Sequence, residues 1–350
     1  MFFTDNPFYI LSLHTKDGKE AISTALQEKL EKAKDKKERN RLLDAEYDLT
    51  HSRRRSSAEF FWLPLLTKKE AYGYIDDIIS GKPAGSINFP CLSSIVLAVN
   101  CLYYGAYEDP LPLFLKICED YGKIDPIATA ALFNEDRRSA GLAGTYDYSH
   151  VEMCERDLLE NIGEAACKVK ERAGKEKWTT LISSLAEKEK ETIPGADLLL
   201  SYEDSMREEK REKEKDIDYA LTLTRTHFPQ GLSLAKEKIN DWMIPMKPMV
   251  LWQGARVLMN LFHRLRNEEI YFLSRGEKDK ARELASLFRN FEDFREIQEI
   301  RERDGILISH GLIPERQEIH FPRFDRVPGT AIIPEAPEIK KKKLFGIFPF

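Results

Sequence analysis

No Cys-x-x-Cys pair occurs anywhere in this chain of 350 residues. Its cysteines, Cys91, Cys101, Cys118, Cys154 and Cys167, are scattered, and several sit among apolar neighbours. An odd number of thiols fits a reducing compartment, so a cytoplasmic location is expected. An excess of positive charge is also missing. The net charge is −5 and the pI near 5.9, which argues against general nucleic-acid binding because no overall positive field draws in phosphates. Long apolar runs are absent too. The most apolar stretch, 87–104, is interrupted by Asn88, Pro90, Ser93, Ser94 and Asn100, and it reads as a buried helix, not a bilayer span. The opening Met1-Phe2-Phe3-Thr4-Asp5 has no basic region of the kind that starts an export signal. Strand patterning is sparse, with 306–309 and 318–321 the segments that suggest it. Phosphate-cradling Gly-x-x-x-x-Gly-Lys, His-Glu-x-x-His and Gly-x-Ser-x-Gly are all lacking. No catalytic residue, cofactor or metal is therefore expected.

What is present is charge of both signs on a helical pattern. Charged residues make up 32% and hydrophobic residues 42%, a balance suited to long amphipathic helices, and the expected class is all-α. Ile22, Ala25, Leu26 and Leu30 fall on one helical face, and Leu42, Ala45 and Leu49 on another, with Leu43 and Tyr47 beside it. Between them 31–41 is charged and free of glycine and proline, and reads as a helical continuation or a charged turn. Thr67 followed by Glu70 is an N-terminal capping pattern, and Asp125-Pro126 another. Helices are predicted over 87–105, 109–121, 125–135, 150–173, 175–191, 196–227 and 250–265. The prolines at 245 and 248 predict a linker over 243–249. The mixed charges of 203–215 read as an exposed face stitched by i,i+4 ion pairs. Trp62, Trp178, Trp242 and Trp252 read as core. His263, with Glu268 and Glu269 nearby, is better explained by ion pairs to Arg264 and Arg266 than by catalysis. The domains expected are a module over 1–64, a helical body over 65–312 with a sub-boundary near 192–196 or 243–249, and an extended, proline-spaced tail over 313–350. That tail ends in Lys340, Lys341, Lys342 and Lys343 followed by Phe345, Phe348 and Phe350, a basic–aromatic motif suited to a partner's groove or to weak contact with an anionic membrane.

The N-terminal module carries a recognisable order of residues. Asn6-Pro7-Phe8 and Leu11 lead in, the two helical stripes follow, and Arg53-Arg54-Arg55 with Glu59, Trp62 and Pro64 closes it. This order resembles a J-domain, the helical hairpin that recruits DnaK-type chaperones. The likeness is closer to the loosely described J-like proteins of Firmicute bacteria, which begin with Asn-Pro-Phe and continue to an Arg-Arg…Ala-Glu-Leu-x-Trp-x-Pro segment. Their later Ile-Asn-x-x-Arg…Ala-Gly-Phe stretch is matched here by Asn134, Arg137 and Gly141, which extends the resemblance to about residue 175.

The His-Pro-Asp tripeptide through which J-domains stimulate their partner's ATPase is absent; Asp35 and His51 have the wrong neighbours. The resemblance therefore implies a docking shape without its trigger. Lys29, Lys32, Lys36, Lys37, Arg39 and Arg41 give the hairpin a cationic face that can steer onto an acidic patch. The function expected is a non-catalytic J-like co-chaperone or scaffold that binds a protein partner, with a DnaK-type chaperone the candidate. The alternatives are a helical enzyme of unknown chemistry, or a peripheral membrane adaptor acting through the tail.

Overall fold

The apolar stripes of the N-terminal segment find their partners close by. In the computed structural model, which describes residues 1–63, 66–83, 91–139, 141–144, 146–291 and 293–317, a short helix α1 (Pro7–Leu11) precedes α2 (Lys19–Lys32) and α3 (Lys36–Thr50). The charged stretch between the stripes breaks at Ala33–Lys34–Asp35. Asp35 caps α3 by accepting from the Glu38 N–H at 2.7 Å, and Glu38 in turn accepts from the Lys34 N–H at 2.9 Å. With so short a connection, α2 and α3 pack as a helical hairpin. Ile22 is buried, Ala25, Leu26 and Leu30 half-buried, and Leu42, Ala45 and Leu49 buried. Leu43 and Tyr47, expected beside that core, are instead 47% and 46% exposed. They lie on the outer side of α3, where the Tyr47 ring sits 3.8 Å from that of His51.

Helix α4 (Ser52–Phe60) follows, and then α5 (Lys68–Ile79), which opens on the predicted capping box of Thr67 and Glu70. Helix α6 (Cys91–Tyr104) is largely apolar and buried on both sides, with Ser93, Ser94 and Asn100 buried among its apolar residues. Its Val96, Leu97 and Cys101 close the N-terminal core together with Phe8, Trp62 and Ile75. Its Ile95, Ala98, Val99 and Leu102 face a second and larger core. The N-terminal core thus continues past residue 64 into α5 and α6.

The larger core is built from α7 (Leu111–Tyr121), α8 (Pro126–Ser139), α9 (Tyr148–Ala173), α10 (Lys175–Lys188), α11 (Ile193–Thr224), α12 (Phe228–Gln253), α13 (Ala255–Ser274), α14 (Lys278–Ala285) and α15 (Arg295–Ser309). Trp178 and Trp242 are buried in it, and Trp252 is half-buried against it. No strand occurs among the described residues, and Met1–Arg316 forms one compact unit.

Two local expectations fail here. The predicted linker at 243–249 lies inside α12. Pro245 and Pro248 cannot donate to the Asp241 and Ile244 carbonyls, yet they are buried with Met246 and Met249, and Tyr202 donates to the Pro245 carbonyl at 2.8 Å. Burial against α10 and α11 holds the helix through both prolines. The break comes later, at Gly254, whose φ of 63° and ψ of −141° are essentially open to glycine alone. Segment 306–309 is the end of α15, not a strand; its aliphatic run continues a helix anchored upstream by Ile297 and Ile300. The other strand candidate, 318–321, Pro64 and the Lys/Phe tail lie outside the described residues.

Candidate partner-binding site

Asn6, Pro7 and Phe8 each do a separate job. The Asn6 side chain caps α1, its Oδ1 accepting from the Phe8 N–H at 3.0 Å, and Pro7 fills the first helical turn. The Asn6 amide also donates to the carbonyls of Ala58 at 2.8 Å and Phe61 at 3.3 Å, which ties α1 to the end of α4. Phe8 and Phe3 then pack on Trp62, which is fully buried.

Of the arginine run, only Arg55 turns inward. Its Nε donates to Glu59 Oε1 at 2.8 Å, and its terminal nitrogen donates to the carbonyls of Thr15 at 2.8 Å and Asp17 at 3.0 Å. Arg54 stays exposed, paired with Asp48 at 2.8 Å and lying over the Tyr47 ring, and Arg53 reaches Met153. The other oxygen of Glu59 accepts from Arg137 Nε at 2.7 Å, which joins α4 to the distant α8. Arg137 is also held by the Ala143 carbonyl at 3.3 Å. Tyr146 completes the cluster: its hydroxyl donates to the Ser56 carbonyl, with Glu59 Oε2 at 3.2 Å. Burial first, and then the Glu59 charge, push the Tyr146 phenol well above its ordinary range, so it stays neutral.

Asn134 holds Tyr146 in place. It donates to the Tyr146 carbonyl at 2.8 Å and accepts from the Tyr146 N–H at 2.9 Å. A Cβ at Gly144 would lie 3.0 Å from Asn134 Oδ1, so a side chain there would press on the amide that holds Tyr146. Gly141, at φ +72°, turns the chain out of α8. Arg55 and Glu59 of the first segment and Asn134 and Arg137 of the second thus meet in one polar cluster. Tyr146 and Thr15 belong to it and were not singled out by sequence; a lone aromatic within the glycine-containing break before α9 was the available signal.

The hairpin cations divide. Lys36, Lys37 and Arg39 are exposed at the start of α3. Lys29, Lys32 and Arg41 line a cleft of about 440 Å³ whose other walls come from α1 and α5. Burial lowers the pKa of Lys29, and the Lys32 charge lowers it further. Arg41 donates to the Thr4 carbonyl and lies 3.8 Å from the Asp5 carboxylate.

The ionisable residues of α13 reach other helices rather than each other. Arg264 pairs with Asp218 at 2.7 Å and Glu214 at 3.2 Å, and Arg266 with Asp304 at 2.5 Å. Glu268 takes Arg225 at 2.6 Å, and Glu269 takes Arg301. The local pairing expected from sequence is thus replaced by bridges to α11 and α15. Among the described residues no group of His, Cys, Asp and Glu side chains is placed to hold a metal ion, and no helix is long and apolar enough to cross a membrane. Fold and cluster together define an all-α protein braced by a buried Arg–Glu–Arg bridge. No family model matches the sequence, and no curated protein or solved structure matches it either.

Proposed function

We propose that this chain is a non-catalytic, J-like partner-binding protein that engages a DnaK-type chaperone without stimulating its ATPase, either to present a client or to occupy the chaperone's J-binding surface. One observation supports the reading above others. The inward-facing residues of the resemblance, Asn6, Phe8, Arg55, Glu59, Trp62, Asn134 and Arg137, serve to hold the module together, while Lys36, Lys37 and Arg39 of the hairpin are exposed to solvent. The connection between α2 and α3, where a J-domain carries His-Pro-Asp, consists here of Ala33, Lys34 and Asp35, and Asp35 is already committed to capping α3. A cationic surface on the hairpin favours encounter with an acidic partner.

The test uses the full chain and its host's DnaK-type chaperone. Saturable binding at low salt is expected, lost in the Lys36→Glu, Lys37→Glu, Arg39→Glu triple variant, with single-turnover ATP hydrolysis at its basal rate throughout. Absence of binding, or a clear rise in hydrolysis, overturns the proposal.

A further inference from the structure

The cleft beside the hairpin has chemistry of its own. Its wall combines Lys29 and Lys32 from α2, Arg41 and Leu42 from α3, Tyr9 from α1 and Tyr72 from α5. The wall from α5 lies beyond the stretch that resembles a J-domain lead-in and hairpin. Lys29 and Lys32 sit one turn apart at the C-terminal end of α2, where the helix dipole favours positive charge. They form no salt bridge among the described residues; Glu38, also on the wall, accepts from the Lys34 N–H, and its charge partly offsets that of Lys32 on Lys29. The three cations of the wall outnumber its two carboxylates, Glu38 and Asp76, so an incoming anion meets a net positive charge.

The opposite side of the cleft is aromatic. The Tyr9 and Tyr72 rings stack at 6.1 Å with 17° between their planes. Tyr72 is fixed in that position, because its hydroxyl donates to the Phe8 carbonyl at 2.8 Å and lies 3.1 Å from that of Leu13. Ser12, also on the wall, is the one non-glycine residue at positive φ among the described residues, at 56°. This left-handed residue is the C-cap of α1 and turns the chain out of that helix along the cleft.

We infer that this cleft binds a short acidic–apolar peptide segment of a protein partner, a carboxylate seated on Lys29 and Lys32 and an adjacent apolar side chain against Tyr9, Leu42 and Tyr72. The inference rests on the proposal that the chain is a partner-binding protein, and it names a recognition element distinct from the outward cations of α3. The volume accepts a few side chains, within the usual range for ligand sites. Asp76, on the α5 side, disfavours a further carboxylate there, so an acid beside an apolar residue is preferred to an acidic run.

The probe is a fluorescein-labelled peptide Gly-Ser-Glu-Phe-Gly-Ser, with its Gln counterpart as control, titrated against the full chain by fluorescence anisotropy. The Glu peptide is expected to bind saturably and more weakly as salt rises. The Lys29→Glu, Lys32→Glu double variant and the Gln peptide should each lose about tenfold or more in affinity. The Lys36→Glu, Lys37→Glu variant should bind the peptide as the parent does. No saturable binding, equal binding of the Gln peptide, or binding that survives the Lys29/Lys32 change overturns the inference. Peptide binding without chaperone binding removes the functional proposal and leaves the cleft; chaperone binding without peptide binding does the reverse.

Discussion

Arg137 donates its Nε–H to Glu59 Oε2 over 2.7 Å, and the two residues stand 78 positions apart in the sequence. Their side chains are 4% and 1% exposed, so this is a buried ion pair that fixes α8 on α4. Arg55 holds the other Glu59 oxygen, and main-chain carbonyls take up the surplus guanidinium N–H groups. Removing one partner of such a pair strands a buried charge and costs about 3–5 kcal/mol. Glu59→Gln, which leaves two guanidiniums facing each other, is expected to destabilise by that amount, and Arg137→Met by about 3 kcal/mol because Arg55 still neutralises the carboxylate. Chemical denaturation followed by circular dichroism measures both. A change below about 1 kcal/mol would mean that the pair behaves as an exposed one.

Asn6 is the second point at which the lead-in segment is pinned. Asn6→Ala removes the α1 cap and leaves the buried carbonyls of Ala58 and Phe61 without their donor. A lost cap costs about 1 kcal/mol, and each of the two stranded buried groups about 1–3 kcal/mol, so the variant should lose about 3 kcal/mol or more. Asn6→Asp keeps the cap acceptor but no longer donates to those carbonyls, and should be no better. Hydrogen exchange should show α1 opening before α6 in either variant; equal protection of the two would contradict the assignment.

Much of the fold was legible because its signals are local. The stripe of Leu42, Ala45 and Leu49 and the Thr67–Glu70 capping box concern neighbours within a turn or two of helix. What could not be read depends on partners distant in sequence. Nothing within Arg53-Arg54-Arg55 indicates that only the last turns inward; the choice is made by Glu59, Thr15 and Asp17. Tyr47 has the composition of a core residue and stays outside, covered by His51 and Arg54. Pro245 and Pro248 obey the local rule for a linker and are overruled by burial against α10 and α11.

His14 supplies a test in pH. It is 4% exposed, and its Nδ1 lies 3.2 Å from Thr15 Oγ1. Burial lowers its pKa below the ordinary 6.5, against the raising influence of the Leu63 backbone, Asp136 and Asp17, with the Lys16 charge adding to the lowering. The folded protein therefore favours neutral imidazole more than the unfolded chain does. The stability this gives is present above the unfolded value of about 6.5 and is lost as pH falls through the lower folded value. Unfolding free energy should decline on acidification from pH 6.5, and His14→Gln should remove part of that slope. Identical slopes for parent and variant would show that His14 does not titrate with folding.

Gly254 and Gly305 give predictions of opposite sign for the same substitution. At both positions an added methyl group would meet no atom within 4 Å, so space does not decide the outcome at either site. Gly254 ends α12 with φ of 63° and ψ of −141°, a conformation that an L side chain opposes, and Gly254→Ala should destabilise by about 1–3 kcal/mol. Gly305 lies inside α15, where glycine loses more chain entropy on folding than alanine does, and Gly305→Ala should stabilise by about 0.5–1 kcal/mol. Thermal unfolding of the two variants beside the parent decides both. A gain in stability at Gly254 would mean that the break between α12 and α13 does not require glycine, and would return its cause to Pro245 and Pro248. A loss at Gly305 would mean that 305–309 leaves the helix in solution, in keeping with the strand pattern of its aliphatic run.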